Sequence, residues 1–211
     1  MKGLIILPYT TINKTMLQKL AADVDYVIGV DGGCGVTYEN MITPDLVIGD
    51  FDSLDKDILK YYKDQNIEII TLKENKDITD GEAGIIEGFK RGCTEILISA
   101  PSFYLETDHL LGNLLLLSKY KNCTILNENE IIRILEKGNM ILNKADGDKV
   151  SLVPLEPTEV KITGFKYDGT FNVDVGDSLT LRNEIVDEKA EIALFKGKLL
   201  IIQRFKSDSM I

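Results

Sequence analysis

The chain contains 211 residues, of which 44% are hydrophobic and 27% are charged, and its formal net charge is −10. This composition is typical of one large or two small globular domains and excludes a disordered chain, while the acidic balance disfavours nucleic acid or an anionic membrane as a partner. No apolar run approaches the ~20 residues of a membrane span. The first run, residues 3–7, stops at Pro8 and predicts a strand rather than a signal peptide, so we expect a cytoplasmic protein.

Up to about residue 126 the chain alternates short apolar runs with amphipathic stretches. The runs predict strands at residues 4–7, 26–30, 46–48, 67–72, 96–99 and 124–126. Helices are clearest at residues 78–91 and 108–120. In the second helix we expect one broad face to be buried, formed by Leu110, Leu111, Leu114, Leu115 and Leu117. The alternation predicts an α/β domain of Rossmann-like type, a parallel sheet with helices on both faces.

The pattern changes after a further helix predicted at residues 131–136. Strands are then predicted at residues 149–155, 159–165, 178–186, 189–195 and 199–205. Turn signals separate them, of which Lys196-Gly197-Lys198 predicts a tight hairpin. We therefore expect an α/β domain over residues 1–139 and a small all-β domain over residues 140–211.

The three cysteines predict no redox or metal chemistry. Cys34, Cys93 and Cys123 are too far apart for a C-x-x-C pair, and their odd number argues against a disulfide framework. We expect them to be buried thiols.

Acidic residues follow several of the predicted strands. Ligands of open α/β sheets bind beyond the carboxyl ends of the strands, so acids and glycines at these positions are candidates for a site. Asp31 with Gly32 and Gly33 follows one strand, and taken alone this motif is more typical of a tight turn. Asp50 and Asp52 follow the next strand. If the chain stays extended there, both carboxylates point to one side and could share a Mg²⁺ ion, although a solvated turn explains them equally well.

Two further acidic motifs begin predicted helices. Asp77 and Asp80 lie three residues apart at a helix start, where they could simply cap the helix or could receive a phosphate and its metal. Asp108 and His109 begin the last clear helix of the α/β domain, and a lone histidine there is more often structural. The joint placement of four such motifs at one edge of one sheet favours a functional site.

In order and spacing, these motifs resemble the thiamin pyrophosphokinase family. The resemblance is carried by Asp31-Gly-Gly33, Gly49-Asp-Phe-Asp-Ser53, Lys76-Asp-Ile-Thr-Asp-Gly-Glu82, and Asp108-His109 with Asn113. It extends into the β domain, through Gly147-Asp148, Gly164-Phe165 and Asn183-Glu184. It therefore covers essentially the whole chain.

The resemblance implies a nucleotide-binding catalytic α/β domain, a thiamin-binding β-sandwich and a homodimer. Such an enzyme transfers the pyrophosphate of ATP to the hydroxyl of thiamin with Mg²⁺, giving thiamin diphosphate and AMP. The implied catalytic residues are Asp50, Asp52 and Asp77, which also hold the metal, with Asp80 and Asp108 in support. The implied nucleotide and phosphate contacts are Asp31, Gly32, Gly33, Ser53, Lys76, Thr79, His109 and Asn113. The implied thiamin contacts are Arg182, Asn183 and Glu184.

Two residues depart from the family pattern. Glu106 occupies the position of an arginine that would contact phosphate, and Arg182 stands where the family tends to have serine. Two alternative functions therefore stay open. One is a related pyrophosphotransferase or a nucleotide pyrophosphohydrolase with another acceptor, and the other is a non-catalytic module that binds nucleotide or thiamin.

Overall fold

The structure is a computed structural model that describes residues 1–52, 54–73, 77–101 and 107–205. Its contacts divide the chain into two compact units, residues 1–128 and the chain from Asn129 onward. The domain boundary predicted after residue 139 lies further along the chain than this division. No helix in the described ranges is long and apolar enough to cross a membrane.

The first unit alternates strands and helices, as the sequence predicts. The strands are β1 (Lys2–Ile6), β2 (Tyr26–Val30), β3 (Leu46–Gly49), β4 (Glu68–Thr71), β5 (Glu95–Ser99) and β6 (Cys123–Leu126). The helices are α1 (Lys14–Ala22), α2 (Gly33–Glu39), α3 (Lys56–Asp64), α4 (Asp80–Lys90) and α5 (Thr107–Lys119). The strands pair in the order β4-β3-β2-β1-β5-β6, and every pair is parallel. The order reverses between β1 and β5, which is the point where open α/β sheets bind their ligands.

Helices cover both faces of this sheet, which confirms the predicted fold class. On one face Gly84 and Gly88 let α4 approach closely, since an added Cβ would lie 2.7 Å from Val30 Cγ2 and 2.9 Å from Ile96 Cδ1. On the other face, Cys34 of α2 and Tyr62 of α3 pack with Val47 in one buried cluster. The Tyr62 hydroxyl donates to the Cys34 carbonyl at 2.9 Å, so its polar atom is satisfied in the core.

The second unit is a β-sandwich. Its strands are β7 (Glu130–Leu135), β8 (Gly138–Asn143), β9 (Lys149–Pro154), β10 (Thr158–Thr163), β11 (Gly169–Val173), β12 (Asn183–Glu184), β13 (Lys189–Lys196) and β14 (Leu199–Arg204). They form two antiparallel layers, β12-β9-β14-β7 and β11-β10-β13-β8. Alternate apolar residues from both layers, including Leu152, Ile162, Ile192 and Ile201, form one shared core.

Three predictions for single elements were wrong. Residues 131–136 are not a helix, because they belong to β7, which pairs with β14. This strand is buried on both faces, through Ile131, Ile132, Ile134 and Leu135. Its sequence therefore lacks the alternation of apolar and polar residues that marks a strand with one exposed face. The strand predicted at residues 178–186 is reduced to β12, whereas β8 and β11 were not predicted. The leucine face of α5 is only partly buried: Leu117 is inside, but Leu111 and Leu115 are exposed.

Candidate active site

Three carboxylates of the first unit meet at the carboxyl ends of β2 and β3. Carboxylate oxygens of Asp31, Asp50 and Asp52 all lie within 4.8 Å of one another, close enough to share one cation. Asp31 directly follows β2, and its amide donates to the Ile48 carbonyl of β3 at 2.8 Å. The two strands therefore hold their acidic ends side by side.

The turn after β3 brings Asp50 and Asp52 together in a way that differs from the extended geometry expected. Phe51 between them is left-handed, with φ of 58°, and the Asp52 amide donates to Asp50 Oδ1 at 3.3 Å. The Phe51 side chain packs against the cluster of Cys34, Val47 and Tyr62. The partly buried aromatic ring thus anchors a turn in which Asp50 is half-buried and Asp52 is exposed.

Gly49 makes the close approach of these two strand ends possible. A Cβ added at Gly49 would lie 2.9 Å from the Asp31 Cα atom, closer than real Cβ contacts allow. Asp31 itself adopts a left-handed conformation, with φ of 47°, which an aspartate tolerates better than most residues. Backbone strain of this kind is often found where a functional side chain must be held in place.

The electrostatics of this group favour a bound cation. Burial, together with the neighbouring carboxylates of Asp50, Asp80 and Asp52, raises the pKa of Asp31 above its ordinary value, although the Gly32 amide opposes the shift. In the described part of the chain the buried Asp31 Oδ1 atom accepts no hydrogen bond. A cluster of acids with an unsatisfied buried oxygen fits a hard divalent ion such as Mg²⁺, which prefers carboxylate ligands.

A cavity of about 450 Å³ adjoins the carboxylate cluster at the point where the strand order reverses. It is lined by Leu7, Pro8, Tyr9, Val30, Asp31, Thr79, Asp80, Gly81, Pro101, His109 and Asn113. Four of the predicted site residues, Thr79, Asp80, His109 and Asn113, therefore line one cavity with a fifth, Asp31, which also belongs to the carboxylate cluster. The other lining residues were not proposed from the sequence. Pro8 and Pro101 could have been found, because they follow β1 and β5 at the reversal point.

The N-terminus of α4 forms one wall of the cavity. Its N-cap is Thr79, whose hydroxyl accepts the Glu82 amide at 3.2 Å, and not Asp77 as considered from the sequence. Asp80 is the first residue of the helix, and its Oδ1 atom is buried. The amides and the dipole of an eleven-residue helix make this end of α4 suited to anions.

The remaining predicted residues that the structure describes in the first unit belong neither to the carboxylate cluster nor to the lining of the cavity. Asp77 is exposed before α4 and does not belong to the three-carboxylate group. Asp108 is exposed in the first turn of α5, where its Oδ1 accepts the His109 amide at 2.8 Å. Gly32 and Gly33 begin α2, and a Cβ at Gly33 would lie 2.0 Å from the Ile6 carbonyl. Ser53, Lys76 and Glu106 lie outside the described residues.

In the second unit, the side chains of Asn183 and Glu184, two of the three predicted thiamin contacts, are engaged in polar contacts within the unit. The Asn183 amide group exchanges hydrogen bonds with the Tyr167 backbone, at 3.0 and 3.3 Å. Glu184 forms an ion pair with Lys149 at 2.7 Å. Arg182 is exposed and left-handed, with φ of 55°.

Comparison with known proteins finds two family models that match the chain. Residues 17–127 match the family model "Thiamin pyrophosphokinase, catalytic domain", and residues 136–199 match "Thiamin pyrophosphokinase, vitamin B1 binding domain". Thiamine pyrophosphokinase of Bacillus subtilis (strain 168) is 25% identical over 184 residues, covering 83% of this chain and 86% of that protein.

Solved structures show the same fold. The thiamin pyrophosphokinase of Geobacillus thermodenitrificans superposes with a TM-score of 0.84 at 25% identity, covering 100% of both chains. The enzyme from Bacillus subtilis superposes with a TM-score of 0.83 at 22% identity, covering 98% of this chain and 100% of that one. Since the catalytic-domain model alone spans more than half of the 211 residues, the chain belongs to the thiamin pyrophosphokinase family.

Proposed function

We propose that this protein transfers a pyrophosphate group from ATP to the hydroxyl of thiamin, giving thiamin diphosphate and AMP. The observation that carries the proposal is the group of Asp31, Asp50 and Asp52 beside a cavity at the reversal point of the parallel sheet. In the reaction the thiamin oxygen bonds to the β-phosphorus of ATP, the bond from that phosphorus to the bridging α,β-oxygen breaks, and AMP leaves with that oxygen. The proton of the thiamin hydroxyl is released to solvent, which balances the reaction.

Residues of the first unit would bind and orient the nucleotide. The N-terminal amides of α4, capped by Thr79, suit the phosphates, whereas Leu7 and Val30 offer apolar surface for the rest of the nucleotide. His109 and Asn113 line the same cavity from α5 and can donate hydrogen bonds to a phosphate. Transfer of a phosphoryl-type group depends mainly on such positioning and on neutralisation of charge.

We propose Mg²⁺ as the cofactor, held by Asp31, Asp50 and Asp52. When bound, the ion neutralises phosphate charge that a protein of net charge −10 would otherwise repel. The family resemblance implies that Asp77 also holds the metal, with Asp80 and Asp108 in support, and we propose these roles at the same site. The proposed contacts of the thiamin are Arg182, Asn183 and Glu184 in the second unit.

We also propose a cytoplasmic homodimer. Leu111 and Leu115 lie one turn apart on α5 and are 53% and 44% exposed, so they offer an apolar strip to a second copy of the chain. The three cysteines are buried and free, which suits a reducing compartment.

The test is to incubate the purified protein with ATP and Mg²⁺, with and without thiamin, and to measure AMP and thiamin diphosphate. We expect both products only when thiamin is present, and the Asp52→Asn variant should form neither at a comparable rate. Asp55→Asn is the matched control, because Asp55 only caps α3 through the Asp57 amide and asparagine caps a helix equally well. AMP without thiamin diphosphate would identify another acceptor, and the absence of AMP would contradict the proposed activity.

A further inference from the structure

A single carboxylate on α4 holds the C-terminal end of α5. Glu82 Oε1 accepts hydrogen bonds from Lys119 Nζ at 2.5 Å and from the Tyr120 hydroxyl at 2.8 Å. The Glu82 side chain is only 11% exposed, although Lys119 is 64% exposed. Nearer the C-terminal end of α4, Phe89 stacks on the Tyr120 ring, with ring centroids 6.2 Å apart. We call the contacts of Glu82 with Lys119 and Tyr120 the Glu82 clamp.

Apolar packing contributes less to the attachment of α5 than its sequence suggests. Of the side chains in this helix only Leu117, two residues before Lys119, is buried. Leu111 and Leu115, nearer the cavity, are exposed. The Glu82 clamp therefore adds a charge-assisted polar contact between the two helices to this limited apolar packing.

The same two helices form facing walls of the cavity. Asp80 and Gly81 of α4 immediately precede Glu82, whereas His109 and Asn113 belong to the other end of α5. The walls are close, since a Cβ added at Gly81 would lie 3.8 Å from Asn113 Oδ1. Any tilt of α5 relative to α4 therefore changes the width of the cavity.

We propose that Glu82 is a positioning residue: its clamp fixes the tilt of α5, and thereby the distance at which His109 and Asn113 meet the phosphates bound at the start of α4. The inference rests on the proposed function. Along a helix with a rise of about 1.5 Å per residue, His109 lies roughly 15 Å from Lys119, so a small rotation at the clamp becomes a large displacement at the cavity. Displacements of about 1 Å can cost a hundredfold in rate.

The matched pair of variants is Glu82→Gln and Glu87→Gln. Both remove one negative charge from α4, but the ion pairs of Glu87 are with Lys90 and Arg91 at the C-terminal end of its own helix. We expect Glu82→Gln to raise the dissociation constant for ATP about tenfold, the size of one charge-assisted hydrogen bond, whereas Glu87→Gln should leave it unchanged. Titration calorimetry with ATP in the absence of thiamin measures this constant.

Two further measurements separate positioning from simple stabilisation. Hydrogen exchange of the α5 amides should become faster in Glu82→Gln than in Glu87→Gln, most clearly at the end that carries His109. In steady-state kinetics the KM for ATP should rise while the KM for thiamin stays constant. Lys119→Met should reproduce both effects, and combining it with Glu82→Gln should add little, because the two residues belong to one interaction.

The outcomes distinguish this inference from the proposed function. If the wild type binds no ATP, the proposed function fails and the inference fails with it. If the wild type binds ATP and Glu82→Gln binds it equally well, only the inference is overturned, even if that variant has a lower melting temperature.

Discussion

Asp31 combines three features that are rarely found together in a residue with a purely structural role. Its backbone is left-handed, one of its carboxylate oxygens is buried, and it lies beside two further carboxylates. In the absence of a cation, burial and like charges both disfavour the ionised form of Asp31. The left-handed backbone adds strain to these two unfavourable features. The residue therefore lowers the stability of the metal-free protein and is best explained by binding.

We predict that Asp31→Asn makes the metal-free protein more stable and abolishes its response to Mg²⁺. Because the pKa of Asp31 is raised, the folded state binds more protons than the unfolded state between the ordinary and the raised pKa. Stability therefore falls as pH rises through that interval, and it stays lower at neutral pH. The amide has no charge and removes this loss. The measurement is the melting temperature in EDTA at pH 7 and at pH 4.

The control for this prediction is Asp45→Asn. Asp45 precedes the opposite end of β3, and its carboxylate accepts the Val27 amide, a role that the asparagine oxygen can keep. We expect Asp45→Asn to leave the response to Mg²⁺ intact. An Asp31→Asn variant that is less stable than the wild type in EDTA would contradict the view of Asp31 as a strained ligand.

Gly49 provides a second prediction at the scale of the residue. Alanine there would place its Cβ 2.9 Å from Asp31 Cα, so the strand ends must move apart and the carboxylate cluster must open. Loss of a residue that only supports a metal ligand typically lowers activity roughly 10- to 100-fold. We expect Gly49→Ala, which displaces the ligands themselves, to lower Mg²⁺-dependent activity by at least this factor. The assay is AMP formation as a function of Mg²⁺ concentration.

Gly35→Ala is the matched glycine variant. It lies inside α2, and its added Cβ would meet only Leu54 and Ile58 side chains at 3.9 and 4.0 Å. Removing a glycine from a helix interior should stabilise the protein by about 0.5–1 kcal/mol, with activity preserved. Equal loss of activity in both variants would mean that the β2 and β3 ends tolerate displacement.

At the scale of the element, the start of α4 both stabilises the helix and lines the cavity. The Thr79 side chain satisfies one helical amide, and the residue also lines the cavity. We predict that Thr79→Ala costs about 1 kcal/mol of stability, as lost N-caps typically do, and also raises the KM for ATP. Thr79→Ser keeps the hydroxyl and should restore both quantities. Urea unfolding measures the stability, and steady-state kinetics measure the KM for ATP. If Thr79→Ser restored neither quantity, the capping role of Thr79 would be contradicted.

The elements show what the sequence could and could not predict. β2 was placed correctly because its apolar residues lie between clear turn signals. β7 was mistaken for a helix because four of its six residues are buried, which erases the period of two. The leucines of α5 fit a buried face by spacing alone, but spacing does not tell which leucines meet a neighbour. The sequence predicted that the acidic motifs share one edge of the sheet, yet the grouping of Asp31 with Asp50 and Asp52 depends on the pairing of β2 with β3.

For the whole molecule, the net charge of −10 poses a problem for a protein proposed to bind ATP. Like charges raise the free energy of the complex unless a cation lies between them. The carboxylate cluster lies at the cavity where that cation would be useful. The negative net charge is thus compatible with the proposed binding of ATP if the metal enters the site with the nucleotide or before it.

This reasoning predicts a specific thermal response to Mg²⁺ in the intact chain. At a concentration ten times its dissociation constant, an ion that binds only the folded state stabilises it by about 1.4 kcal/mol, or roughly 3–6 °C for a protein of this size. Screening of the net charge would also raise the melting temperature, so each sample is matched with NaCl at equal ionic strength. The Asp50→Asn/Asp52→Asn variant should lose the shift, whereas Glu39→Gln/Asp64→Asn, which removes two exposed charges elsewhere, should keep it. Equal shifts in both double variants would show that Mg²⁺ acts through general screening and not through the cluster.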